Sequence, residues 1–199
     1  MPEPTKGVPQ NRPWRSVLEW VFIIALAVAC AMAVRAFIVE PFEVPTESMI
    51  STIQVGDRLL GEKISYLAHD PQTGDVVTFS DPENPSTTLI KRVIATPGQT
   101  IDLEDGAVYV DGVKLDEPYT QGKPTNPIER HADFLSSDIT YPYTLGQDEY
   151  WMMGDNRTNS LDSRYFGPIK RQAITSRGWF IFWPLNDIGT LTDAPGKAS

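Results

Sequence analysis

The feature that most constrains this chain is an uncharged apolar run near its start, WVFIIALAVACAMAV at residues 20–34. As a helix this run covers about 22 Å, short of the roughly 30 Å hydrocarbon core of a bilayer. Extended to residues 17–37 it reaches about 31 Å. That extension takes in Glu19 and Arg35 near the two ends, where long side chains reach the headgroups. Trp14 and Trp20 suit an interfacial aromatic belt at one end. Residues 1–16 are polar and proline-rich, with Lys6, Arg12 and Arg15 against Glu3. A basic tail stays inside, so the chain from about Val39 onward is expected on the extracytoplasmic side. A cleaved secretory signal is the competing reading, with Ala29-Cys30-Ala31 or Ala31-Met32-Ala33 as its small-residue site. Both readings put the bulk of the chain outside the cytoplasm.

Beyond the run, Glu40-Pro41 is expected to end the helix, since proline cannot continue it. The pattern then turns to short β-like stretches at 42–44, 58–60, 75–79, 88–95, 101–103 and 107–110, separated by turn residues. Glu104-Asp105-Gly106 reads as a turn between two of them, and Val110-Asp111-Gly112-Val113 as a tight hairpin. Residues 52–68 have room for a helical turn or two. Residues 116–148 are proline-rich and weakly periodic, a long excursion or a small β subdomain. Residues 178–184, GWFIFWP, are a buried strand or a surface that dips into lipid.

Composition narrows the chemistry. With 26 Asp+Glu against 17 Lys+Arg, the net charge of -9 argues against a nucleic-acid binder, which needs a basic face. The one cysteine, Cys30, lies in the apolar run, where it reads as a small hydrophobe; alone it forms no disulfide framework or cysteine cluster. There is no H-E-x-x-H, P-loop, G-x-G-x-x-G or G-x-S-x-G. His69 and His131 sit in no motif and are expected to be exposed or locally bonded.

A serine can instead be activated by a lysine whose pKa falls on burial. Strand alternation puts Lys91 on one face with Leu89 and Val93, and Arg92 on the other. Such a lysine is either a base or a snorkelling residue. Pro45-Thr46-Glu47-Ser48-Met49 follows a short extended stretch. The Thr46 hydroxyl and the Ser48 N–H suit an oxyanion; equally, the segment suits the capped start of a short helix. A third cluster, residues 154–164, GDNRTNSLDSR, has the small polar and charged residues of a rigid, hydrogen-bonded loop.

In this order the three segments resemble the bacterial type I signal peptidases, or leader peptidases, a Ser/Lys protease family. Pro45 to Met49 resembles its serine box, Leu89 to Gly98 its lysine box, and Gly154 to Gly167 its third box. The resemblance implies a mostly β protein, with a coiled antiparallel β-sheet catalytic domain and one N-terminal transmembrane helix. The implied parts are a cytoplasmic tail (1–16), the transmembrane helix (17–37), an extracytoplasmic catalytic domain (38–187) with a variable β insert (116–148), and a C-terminal tail (188–199). It implies Ser48 as nucleophile, Lys91 as general base, and Thr46 with Ser48 as the oxyanion hole. Ser160 would orient the lysine, Asp162 and Arg164 would form a supporting ion pair, and Phe42, Val44, Met49 and Ile90 would wall the substrate pocket. The implied reaction removes signal peptides from exported preproteins after Ala-x-Ala, at the plasma membrane, with no metal or other cofactor. Implied partners are those preproteins, membrane lipid and the translocation machinery, with no nucleic acid.

The chain departs from the family pattern at Glu47, Ser51, Ala95 and Gln99. Glu47 is the weightiest, since a carboxylate beside an oxyanion hole disfavours negative charge. Two rival readings are a self-cleaving Ser/Lys protease of the repressor type and an inactive, anchored β-rich binding protein. The membrane helix and the lack of a DNA-binding module weigh against the first. The desolvation cost of an idle buried lysine weighs against the second.

Overall fold

The computed structural model describes residues 13–191. Residues 1–12 and 192–199, most of the two expected tails and with them Lys6 and Arg12, lie outside the described residues. The chain divides after Ile38 into a helical unit and a β unit.

The helical unit is α1, Pro13–Phe37, with proline at its first position, where the missing N–H costs nothing. Its apolar side chains cover every face and stand exposed, Phe22 at 67% and Ile24 at 59%. A helix apolar all round and unburied is suited to lipid rather than water. Its membrane-length stretch, Ser16–Phe37, spans about 33 Å. Cys30 is exposed on this helix, not packed in a core.

The helix stops three residues before the expected Glu40-Pro41 end. Both residues belong instead to a strand, β1 (Val39–Glu43), which among the described residues pairs only with β2 (Arg58–Glu62). An edge strand is where a sheet tolerates a residue without an N–H, so Pro41 fits. The remaining strands are β3 (Val76–Ser80), β4 (Thr88–Ala95), β5 (Thr100–Glu104), β6 (Ala107–Val110), β7 (Val113–Lys114), β8 (Tyr143–Thr144), β9 (Glu149–Met153), β10 (Ile169–Lys170), β11 (Ile174–Trp183) and β12 (Gly189–Thr190). They form an antiparallel sheet in the order β1-β2-β11-β3-β4-β9-β10, with β12 on β11, and a smaller sheet in the order β7-β6-β5-β8. The mostly β, antiparallel expectation holds.

The ends of β4 and β9 are covered on both faces, which explains their apolar runs Val93 to Ala95 and Tyr150 to Met153. Val93 and Met152 enter one core with Phe79 and Phe166; Ile94 and Trp151 enter another with Ile101 and Val108. Both hairpin turns of the smaller sheet, Asp105-Gly106 and Asp111-Gly112, have positive φ at both positions. That is the geometry an Asp-Gly pair specifies in a two-residue hairpin. In 52–68 the single helical turn is α2 (Ser65–Ala68).

Two regions differ from the expectation. Residues 116–148 hold only a 3-10 turn, Pro118–Thr120, and the two residues of β8, so the insert is an irregular excursion rather than a β subdomain. β11 is central in its sheet but alternates, with Ile181 buried and Trp179 and Trp183 left 43% and 50% exposed.

Candidate active site

Strand alternation on β4 sets the site. Leu89 and Lys91 share one face, while Ile90 turns to the core cluster of Val44, Met49 and Leu59, and Arg92 goes the same way. Lys91 is 3% exposed, and its Nζ lies 2.7 Å from Ser48 Oγ and 3.0 Å from the Ile90 carbonyl. Burial pushes its ammonium pKa down, to about 8, against the opposing pull of Asp162, Asp155 and Asp81. Among the described residues no carboxylate forms an ion pair with it.

Ser48 lies in a 3-10 turn, Glu47–Met49, just after β1. The helix-start reading of this segment is met only in backbone form, since Thr46 stands at the cap position without a capping bond. Its Oγ1 instead lies 3.4 Å from Ser48 Oγ. The third cluster grips the turn from behind. Asn156 donates from its backbone N–H to the Ser48 carbonyl and from its amide to the Glu47 carbonyl, both at 3.0 Å. Asn159 donates to the Glu47 carboxylate at 3.0 Å, which ties down the most prominent departure from the family pattern.

The Asp162–Arg164 pair forms as a two-pronged contact, 2.9 Å on each prong, and Asp162 also accepts the Gly154 N–H. Burial by itself would raise the Asp162 pKa, but the Arg164 fork holds it below the usual carboxylate range. Ser160 does not bond Lys91. Its hydroxyl lies beside Asp162 and helps hold that pKa down, yet is out of line for a regular hydrogen bond to any group. Gly154 explains the tightness here: a Cβ on it would sit 2.3 Å from Ser160 Oγ and 2.4 Å from the Ser48 carbonyl oxygen.

The supporting network is larger than the one pair expected. Arg92, 2% exposed, forks onto fully buried Asp155 at 2.8 and 2.6 Å, and Thr52 bonds the same carboxylate. Arg157 forks onto Glu117 at 2.9 and 2.6 Å. Tyr119 donates to Glu117 and lies under Arg92, 4.1 Å from guanidinium carbon to ring centre. Alternation on β4 already put Arg92 on the face opposite Lys91, though not its burial; Glu117 and Tyr119, inside the unpatterned excursion, carried no such signal.

An open cleft of about 460 Å³ adjoins the pair, walled by Thr46, Ser48, Lys91, Leu89, Tyr165 and Phe166. None of the four expected pocket residues lines it. Val44 and Met49 are buried in the core, with Phe42 and Ile90 partly buried against them, because Ile90 faces opposite to Lys91. A hollow of about 560 Å³ at His69 and Arg171 touches neither Ser48 nor Lys91. The histidines are locally bonded, His69 to the Asp70 carbonyl and His131 to Asp138, as the sequence suggested. Among the described residues no three His, Cys, Asp or Glu side chains gather to hold a metal.

A hydroxyl held against a desolvated amine, at the wall of an open cleft, is the arrangement of a serine hydrolase with an amine base. Residues 17–183 match the model of the signal peptidase family, peptidase S26. A signal peptidase I of Leptolyngbya laminosa is 36% identical, over 96% of this chain and 96% of that protein. A probable signal peptidase I-2 of Synechocystis is 35% identical over 94% and 82%, and a signal peptidase I of Bacillus licheniformis 34% over 87% and 92%. A solved signal peptidase I from Enterococcus faecalis is 32% identical, matching 55% of this chain and 97% of that one with a TM-score of 0.44. The chain belongs to the signal peptidase family, peptidase S26, and is a peptidase by that membership.

Proposed function

We propose that this chain removes signal peptides from exported preproteins, with Ser48 as nucleophile and Lys91 as general base. The observation that carries the reading is the 2.7 Å contact between Ser48 Oγ and an amine that burial drives towards neutrality. Neutral Lys91 accepts the Ser48 proton as Oγ bonds the scissile carbonyl carbon, and the oxyanion forms against the Ser48 N–H and the Thr46 hydroxyl. Collapse breaks the C–N bond, with the Lys91 ammonium protonating the departing amine. The acyl-enzyme is then hydrolysed by water that Lys91 deprotonates. The Ser160 hydroxyl, which crowds the same face of Gly154 as the Ser48 carbonyl and has no hydrogen-bond partner among the described residues, is the group we assign to orient the amine, by a change of rotamer.

Two free edges support cleavage after Ala-x-Ala. Among the described residues β1 is unpaired on its outer side, and the β4 ladder with β9 begins only at Arg92, leaving residues 88–91 open there. An extended substrate between these edges directs alternate side chains at Phe42 and Ile90. Behind them Val44 and Met49 fill the core, so only a small side chain fits without opening it. The same reading makes residues 1–16 a cytoplasmic tail, 17–37 a single span of the plasma membrane and 38–187 the extracytoplasmic catalytic domain, followed by the tail 188–199. Membrane lipid and the translocation machinery are its neighbours there.

The test is cleavage of a precursor whose signal ends in Ala-x-Ala, by detergent-solubilised full chain, with mass spectrometry locating the cut. Cleavage after the second alanine, lost in Ser48→Ala and Lys91→Ala, is expected. Activity retained by Ser48→Ala would remove the nucleophile assignment.

A further inference from the structure

The cleft beside the Ser48–Lys91 pair has an unusual lining. Three carboxylates face it: Glu47 from the serine turn, and Asp81 and Glu83 from the turn between β3 and β4. Asp81 accepts the Glu83 N–H at 2.9 Å, and Glu83 accepts the Tyr165 hydroxyl at 3.1 Å. None of the three forms an ion pair among the described residues, and Lys91 is the one basic side chain on the cleft wall. The floor is apolar, with Leu89 and Phe166 below and Leu161, 61% exposed, at the rim. An apolar floor under an acidic rim matches a long basic side chain, whose stem lies on carbon while its head stays at the charged edge.

Strand geometry says which substrate residue enters. Resting on the Ala-x-Ala reading above, the two small residues point to the Ile90 face of β4, so the residue between them points to the Leu89 and Lys91 face, where the cleft opens. We propose that this cleft is a specificity site for the middle residue, x, and that it selects lysine or arginine there and disfavours aspartate or glutamate. Asp81 and Glu83 supply the charge, and Leu89, Leu161 and Phe166 the stem contact. Glu47 is already held by Asn159 and adds to the field rather than to a direct contact.

The experiment compares three peptides, identical but for lysine, norleucine or glutamate at x, with full-length protein in detergent at low salt. The kcat/KM order expected is lysine, then norleucine, then glutamate, with lysine over glutamate by about tenfold, the scale of two partly exposed charge contacts. Added salt should narrow the ratio. In the Asp81→Asn, Glu83→Gln double variant the lysine-to-norleucine ratio should fall to about one, the norleucine peptide reporting whether the site is still formed. Equal rates for the three peptides, or a lysine preference that survives the double variant, would overturn the proposal. Should the wild type cleave none of them, the peptidase reading fails first. Binding of the same peptides to Ser48→Ala, by fluorescence anisotropy, then decides the charge preference on its own: the same order supports it, equal affinities sink it.

Discussion

Lys91 and Arg92 are neighbours on β4, both cationic by type and both almost wholly buried, yet the two faces of the strand treat them in opposite ways. Arg92 meets a carboxylate fork from Asp155, a ring from Tyr119 and the Gly74 carbonyl. Lys91 meets a serine hydroxyl and one carbonyl, with no paired acid among the described residues. A buried cation with a partner stays charged and fixes geometry; one without a partner drifts towards the neutral amine that a general base needs. One face of the strand is built to hold a shape, and in the proposed mechanism the other moves a proton.

The largest expected effect separates these roles. Lys91→Met should abolish cleavage while leaving the fold intact, and should even raise stability. The ammonium is less favoured in the folded chain, at about 8, than in the unfolded one, near 10.5. Below pH 8 both states are protonated and the folded one carries the whole penalty. Between 8 and 10.5 only the unfolded state holds the proton, so wild-type stability rises with pH there. Thermal unfolding at pH 7 should therefore favour the Met variant, by on the order of 2 kcal/mol. Arg92→Met should do the reverse, losing about 3–5 kcal/mol by stranding Asp155 in the interior. An additional Asp155→Leu should recover much of that loss. Equal losses of stability in the two single variants would collapse the distinction between the faces.

A smaller effect is expected at Gly154. Alanine there must displace the Ser48 carbonyl or Ser160, so Gly154→Ala should lower kcat by more than tenfold and lower global stability by about 1–3 kcal/mol, with the loss of kcat exceeding what the unfolded fraction explains. Smaller again, Ser160→Ala should lower kcat by roughly tenfold and move the acid limb of the pH profile. An unchanged profile would leave Ser160 a packing residue beside Asp162.

What could be read in the sequence follows the same division between local and long-range causes. β4 at 88–95, both Asp-Gly turns and the apolar helix were legible because each is fixed by residues adjacent in the chain. Lys91 and Ser48 were nameable from local pattern and family resemblance, but their 2.7 Å contact spans 43 positions. The Arg157–Glu117 contact was not legible, since Glu117 sits in an excursion with no periodicity and only the folded chain brings the two together. Pro41 misled because a proline reads as a helix stop, whereas here it occupies a sheet edge. The open cleft was not legible for a geometric reason: Ile90 is next to Lys91 in sequence and so faces away from it in a strand, which puts the expected pocket residues on the side away from the cleft. The cleft walls, Tyr165 and Phe166 among them, arrive from the far end of the chain.

The most direct test of the central claim is the titration of the Lys91 amine itself. Full-length protein carrying isotope-labelled lysine, in detergent, gives one NMR signal that disappears in Lys91→Met and can be followed against pH. The account places its midpoint near 8, matched by activity that rises about tenfold per pH unit below that value. A midpoint above 10, with activity flat across the same range, would mean that Lys91 is an ordinary ammonium and that something else takes the Ser48 proton.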